Sequence, residues 1–425
     1  MPAVDQPSRF SHFSARRRAA TILILGGLWT VGSFATDLYL PAMPATADDL
    51  GASTQAVAFS VTTFLIGLAF GQLLAGPLSD TYGRRRTLLA GLAVFTASAL
   101  VCVVAPSVEV LIAVRFVQGI AGAFGLAIPS AVITDYSRGR EAARLFSRVA
   151  LIGGIAPIVA PLIGAQLLNL SGWRGPFVAM TVIGLLLTAS VAVGLPESLP
   201  REKRAARGTR PVLRAMAMLT RDLDFMGYAV TTALVFVAFF AYLTGSSFVY
   251  QDVYGVSATT YSVLFAVNAV GMLAATQVNH RLLARFSPRQ LLAAALVADA
   301  VAGVAVLAAV LIGGLGVWAL AAPFFVLVTS LGFIYANSTA LALSLHPEVA
   351  GAAAAYFGTM RLGFGALATP LIALGGTVRL LPMALVIAMS LVTALVLFTV
   401  VARRTRGQRV LLDLPEEAAA DVPVA

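Results

Sequence analysis

Charge is scarce in this chain: Asp, Glu, Lys and Arg make up 11% of its 425 residues, where a soluble globular chain carries about 25%. Hydrophobic residues reach 59% and the mean hydropathy is +0.90, which excludes an ordinary soluble domain and points to a polytopic membrane protein. The single cysteine, Cys102, excludes an intramolecular disulfide and a cysteine-built metal site. The three histidines, His12, His280 and His346, form no pair on a helix face, and neither a Gly-x-x-x-x-Gly-Lys-Ser/Thr loop nor a Gly-x-Ser-x-Gly turn is present. A P-loop ATPase and an intramembrane hydrolase are therefore excluded, and no metal or other cofactor is expected. Lysine is almost missing as well: Lys203 stands alone among 29 basic residues, which reads as GC-rich coding rather than chemistry. The net charge of +10 is spread between apolar runs, so it orients the chain and implies no nucleic-acid partner.

What is there is a succession of apolar runs. A hydrocarbon core about 30 Å thick needs roughly 20 helical residues, and windows of that size place spans near 20–42, 54–76, 87–105, 109–134, 146–168, 175–195, 223–248, 257–280, 290–311, 316–344, 350–374 and 380–402. With the N-terminus inside, basic residues gather in the inner loops and the outer loops hold only Arg174 and Arg379. The positive-inside rule then puts both termini in the cytoplasm. A cleaved signal over the first 36 residues, with Arg16 to Arg18 as its basic region, is the competing reading. It would leave eleven spans and invert every later loop against that rule. The expected architecture is all-α: a 1–19 tail, a six-helix half over 20–198, a basic linker over 199–222 with Pro200, Gly208 and Pro211 as breakers, a second six-helix half over 223–402, and a 403–425 tail. The acidic, Ala-rich end from Leu411 to Ala425 reads as disordered.

Between the second and third spans lies Gly76-Pro77-Leu78-Ser79-Asp80-Thr81-Tyr82-Gly83-Arg84-Arg85-Arg86, whose glycines permit a tight turn. It strongly resembles the loop signature of the major facilitator superfamily, and 280–289 is a degenerate copy about 200 residues on. The first span carries Asp37-Leu38-Tyr39-Leu40-Pro41-Ala42-Met43-Pro44, which closely resembles the signature of Bcr/CflA-type drug:proton antiporters. Residues 111–122, with Arg115 and Gln118, resemble the fourth-span motif of drug exporters. Residues 153–164, with Gly153, Gly154, Pro157, Pro161 and Gly164, resemble the fifth-span antiporter motif in its Pro-x-x-x-Pro form.

An acid within a bilayer costs about 2.5 to 3.5 kcal/mol on insertion scales. With the first span ending near Ala42, Asp37 lies roughly 7 Å below its outer end at the helical rise, and Arg115 reaches a similar depth in the fourth. If both spans line the cavity, as the resemblance implies, the two can face each other. Movements that separate them would then turn Asp37 from proton acceptor to donor. The bland reading is a permanent ion pair between two helices, or a helix-end cap at Asp37 before Pro41.

At the inner surface, Gly76, Asp80, Gly83 and Arg84, with Asp135 and Arg144 at the end of the fourth span, are expected to form a cytoplasmic gate, against the plainer reading of a topology-fixing charge run. Pro157 and Pro161 each remove a backbone donor and are expected to kink the fifth span, while its glycines allow close helix approach. Its repeat mate carries Gly358, Gly363, Gly365 and Pro370.

In the second half, Phe240 falls near the position matching Asp37 and Trp318 near that of Arg115, so proton handling is expected in the first half alone. Substrate contacts are expected from Tyr39, Gln118, Phe240, Tyr242, Asn268, Tyr335 and Asn337. Two mid-span charges depart from the family pattern: Asp299, on a span expected at the periphery, and Arg361, which would favour an electron-rich or anionic substrate. The resemblance implies a monomeric secondary exporter in the bacterial plasma membrane that exchanges protons for a small drug or antibiotic-like molecule, with the proton gradient as energy source and lipid around it. A proton-coupled transporter of a metabolite and a non-transporting sensor are the alternatives.

Overall fold

The computed structural model describes residue 10 and residues 13–137, 139–204, 210–373 and 380–405. The expected disordered end from Leu411 to Ala425, and Arg379, lie outside the described residues. Among the described residues all regular structure is helical: α1 (Ala15–Asp37), α2 (Met43–Asp49), α3 (Thr54–Tyr82), α4 (Arg84–Val103), α5 (Val108–Tyr136), α6 (Gly139–Ser171), α7 (Gly175–Gly194), α8 (Arg210–Arg221), α9 (Leu223–Phe248), α10 (Ala258–Leu282), α11 (Pro288–Ile312), α12 (Trp318–Ser344), α13 (Ala350–Gly365), α14 (Ala368–Ala373) and α15 (Leu380–Thr405).

Among the described residues, ten helical stretches are long and apolar enough to cross a membrane. One of them, Arg144–Gly194, runs through both α6 and α7, and the expected eleventh span is divided into α13 and α14, so the helices are consistent with twelve crossings. Local sequence sets their ends. The Ser257 side chain caps α10 by accepting from the Thr260 N–H, and Ser287 and Gln290 form a capping box at α11, with Pro288 at its first turn.

Contacts divide the chain into two units, Met1–Ala42 with Ile66–Thr209, and Met43–Leu65 with Arg210–Ala425. In the first, α1 packs on α5, α6 and α7, and α4 packs on α5 and α7. The chain before α1 is seated there too: the Phe10 N–H donates to the Tyr136 carbonyl (3.3 Å), Phe10 is buried, and the Phe13 ring lies edge-on to Tyr136. Tyr136 in turn donates its hydroxyl to the Pro196 carbonyl at 3.1 Å.

In the second unit, α11 packs on α12 and α15, α9 on α12, α13 and α15, and α10 on α12. The segment from Met43 to Leu65 joins this unit because α2 packs on α9 and the Thr62 hydroxyl donates to Thr369 Oγ1 at 2.6 Å. Thr369 passes the chain of hydroxyls on to Thr244 of α9 (3.3 Å). The expected linker is not wholly irregular. Its last part folds as α8, with Leu219 buried and Thr220 Oγ1 2.9 Å from the Tyr356 hydroxyl.

One expectation about irregularity changes. The stretch from Gly76 to Tyr82 is the end of α3 rather than a loop, Pro77 included, and among the described residues nothing lies within 4 Å of a Cβ built on Gly76. Only Gly83 breaks the helix, with a φ of +97° that favours glycine, so the turn is one residue long. α6 is helical throughout Gly139–Ser171, across both Pro157 and Pro161, with Gly154 half-buried.

Candidate functional site

The first span is broken where its sequence demands it. Pro41 has no N–H, and its ring clashes with the carbonyl four residues earlier, which belongs to Asp37. α1 therefore ends at Asp37, and the apolar stretch continues through a short 3-10 turn (Leu40–Ala42) into α2. The break lies inside the span, not close to its outer end as a helix ending near Ala42 would have it. The tightened turn redirects the Tyr39 N–H to the Thr36 carbonyl (3.1 Å). The Ala35 carbonyl, released from the helical pattern, accepts a 2.8 Å hydrogen bond from the Arg115 guanidinium of α5.

Arg115 is completely buried and also donates to Gln118 Oε1 at 2.9 Å. The Tyr39 and Phe177 rings lie 5.6 and 5.9 Å from its guanidinium carbon, within cation–π range. Asp37 is buried and accepts from the Thr36 hydroxyl at 2.8 Å. The expected meeting of Asp37 and Arg115 is thus indirect. Arg115 holds the backbone two residues before Asp37, and among the described residues Asp37 is in no ion pair. A carbonyl freed by the break offers the guanidinium a fixed acceptor that the carboxylate does not displace.

Helix α6 closes on the same break. A Cβ on Gly164 would overlap the Leu38 carbonyl oxygen, and one on Gly153 would stand 3.4 Å from Trp29. The small residues of the fifth span therefore let its backbone lie directly against the irregular part of the first. Thr36, Phe177 and the Ala35 carbonyl were not among the expected site residues. The four-residue offset from Asp37 to Pro41 is the signal that could have found the carbonyl.

Where α3 meets α4 in the same unit, Arg84 is the hub. It is buried, donates to Ser79 Oγ (2.6 Å), and pairs with Asp80 (2.5 Å) and Asp135 (3.2 Å). Asp135 also accepts from the Ser198 hydroxyl at 2.7 Å. Glu197, absent from the expected set, accepts from the Arg84 and Arg85 backbone N–H groups (2.9 and 3.3 Å) at the start of α4, where a carboxylate suits the helix dipole, and lies 3.8 Å from Arg204. A Cβ on Gly83 would run into Glu197. Arg144 stays outside this cluster: it is exposed on α6 and pairs with no acid among the described residues.

In the second unit most of the expected polar contacts are internal. The Asn268 amide donates to the Tyr242 hydroxyl (2.8 Å), and Asn337 donates to Asn279 Oδ1 (2.6 Å), all four buried. Phe240 is buried against Gly365, where a Cβ would overlap its ring. These side chains tie helices to one another, because polar groups in a bilayer find protein partners. Tyr335 differs, being 44% exposed, and Arg361 lies beside it. Asp299 is fully buried and accepts from the Ser330 hydroxyl.

Below α9 and α12, His346 Nε2 stands 2.6 Å from Asp222 Oδ2 and its Nδ1 3.1 Å from Glu348. Burial alone would hold the imidazole down, but the hydrogen bonds and charges of Asp222 and Glu348 raise it above its usual 6.5. Burial would raise Asp222, and the Phe225 and Asp224 N–H groups together with His346 outweigh it, so its carboxyl lies below the usual carboxylate range. Among the described residues no group of His, Cys, Asp and Glu could hold a metal ion.

The family model described as Major Facilitator Superfamily matches residues 25–370. A Bacillus subtilis (strain 168) protein named uncharacterized MFS-type transporter YdgK is 34% identical over 366 residues, covering 86% of this chain and 91% of its own. A Haemophilus influenzae protein named bicyclomycin resistance protein homolog is 32% identical over 352 residues, covering 83% and 88%. The solved structure of a POT family transporter in complex with a thioalcohol-conjugated peptide superposes with a TM-score of 0.74 at 11% identity, covering 92% of this chain and 96% of that one, a likeness of fold alone. Relatives named for bicyclomycin, chloramphenicol and multidrug resistance are consistent with the Bcr/CflA type that the first-span motif resembles. With a family model spanning most of the sequence and relatives matched over most of their length, this chain belongs to the major facilitator superfamily, a transporter rather than an enzyme.

Proposed function

We propose that this transporter exports a small drug or antibiotic-like molecule across the bacterial cytoplasmic membrane in exchange for protons, by alternating access, with both termini cytoplasmic. The observation that carries the reading is the buried carboxyl of Asp37 at the end of a helix broken within its span. Its one side-chain hydrogen bond among the described residues comes from the adjacent Thr36, so no ion pair fixes its charge. It can hold a proton in one state of the cycle and release it in another. Arg115 acts as a positioning residue: it braces the break through the Ala35 carbonyl. Gly164 lets α6 lie against the same turn, so movement of the fifth span reaches the segment that carries the acid.

The test is proton flux. In proteoliposomes under an imposed pH gradient, the wild type is expected to couple substrate efflux to proton uptake. Asp37→Asn is expected to bind substrate and move no protons. Undiminished proton-coupled export by Asp37→Asn would remove Asp37 from the mechanism.

A further inference from the structure

Arg361 is a guanidinium at mid-membrane depth with no acid to answer it among the described residues. It lies eleven residues into α13, Phe236 thirteen residues into α9, and Tyr335 nine residues before the end of α12; at the helical rise all three stand about 14 to 20 Å from the inner ends of their helices. The Phe236 and Tyr335 rings flank the guanidinium carbon at 4.6 and 4.5 Å. Its Nε is buried without a hydrogen-bond partner, and among the described residues no carboxylate or carbonyl bonds its terminal nitrogens.

Asp299 cannot serve. It is held by Ser330, five residues before Tyr335 on α12, and five residues turn a helix by about 140°, so Asp299 and Arg361 meet different faces of that helix. α11, which carries Asp299, packs on α12 and α15, whereas α13 packs on α9 and α12. Tyr335, 44% exposed, leaves the clamp open on one side. Phe239 and Phe240, 5.8 and 5.9 Å from Phe236, extend its aromatic surface.

A charge held between rings, with unused donors and an open flank, is built to receive something. We propose that Arg361, clasped by Phe236 and Tyr335, is the binding point for a carboxylate or similar anionic group on an aromatic solute. The planar fork matches a carboxylate with two parallel hydrogen bonds, and the rings supply apolar surface for the rest of the molecule. The inference rests on the reading of the chain as a transporter of small organic molecules and names the class it selects.

The test compares 2-naphthoate with the neutral, nearly isosteric 2-naphthamide, by calorimetry on the full-length protein in lipid nanodiscs. The wild type is expected to bind the acid about tenfold more tightly than the amide, the scale of one charge-assisted hydrogen bond. Arg361→Gln is expected to abolish that preference by weakening the acid alone. Arg361→Lys keeps the charge without the fork and is expected to show a smaller preference, so the proposal stays testable should the glutamine variant not fold. Equal affinity of the wild type for the two compounds, failure to bind either, or parallel loss of both in the variants would overturn it. Binding is read here without transport. An acid preference with no proton-linked export would overturn the antiporter reading and support this one, whereas proton-linked export of neutral drugs with no acid preference would do the reverse.

Discussion

The Arg115 guanidinium donates to the Ala35 carbonyl at 2.8 Å, so a side chain of the fourth span completes the backbone hydrogen bonding of the first. Arg115→Ala leaves that carbonyl and the Gln118 amide oxygen without their donor. The expected cost is about 2 to 3 kcal/mol, read as a lower melting temperature in detergent together with lost export. Arg115→Lys is expected to fall between, since an ammonium lacks the planar fork. An alanine variant that melts with the wild type would show that the bond contributes nothing.

Two glycines of similar sequence character should behave oppositely. Gly164→Ala puts a methyl into the Leu38 carbonyl, and overpacking of this kind costs about 1 to 3 kcal/mol; export should drop with it. Gly76→Ala meets empty space inside a helix, where alanine is favoured over glycine by about 0.5 to 1 kcal/mol. Equal melting shifts for the two would contradict the packing at Leu38.

Within the Arg84 cluster, exposure decides the ranking. The Asp80 side chain is 45% exposed and that of Arg84 only 9%. Asp80→Asn should cost at most about 1 kcal/mol of stability, so any large effect on transport would report gating. Arg84→Ala strands Asp135 in a partly buried site and should cost about 3 kcal/mol. Thermal unfolding of the two variants separates these, and a reversed order would rule out Arg84 as the hub.

The His346–Asp222 link gives the second unit a pH dependence with a definite sign. His346 is raised, so its share of stability is full below 6.5 and is lost as pH climbs through the raised value. Asp222 is lowered, so its share is present above the usual 3.8 and disappears as pH falls through the depressed value. The gap in melting temperature between wild type and His346→Gln should be widest from mildly acid to neutral pH and close on the alkaline side. A gap that does not change with pH would leave only packing at this position.

The spans were legible because a bilayer demands long apolar runs, and the runs of α9 to α12 end within a few residues of the expected bounds. The Asp80–Arg84–Asp135 cluster was legible as well, since charges so close to two apolar helices have few places to go. Glu197 was not, because its task of receiving the first N–H groups of α4 depends on a helix that begins immediately after Gly83. The partners of Asn268 and Asn337 were not legible, for a general reason. An amide in a span suits a cavity or a neighbouring helix equally well, and only the three-dimensional structure shows Tyr242 and Asn279 as their partners. Arg361 was legible as a misfit, and its two aromatic neighbours come from spans about 125 and 25 residues away in the chain.

The seat of Phe10 carries an implication about order of synthesis. Phe10 leaves the ribosome before any span exists, yet the Tyr136 that receives it belongs to the fourth span, and Tyr136 is itself anchored by Pro196 just after the sixth. The leading segment therefore has no finished place to dock until all six helices of the first unit have been made. Its docking marks completion of that unit, and a bulky fusion placed directly before Phe13 would block the seat while leaving each span free to insert.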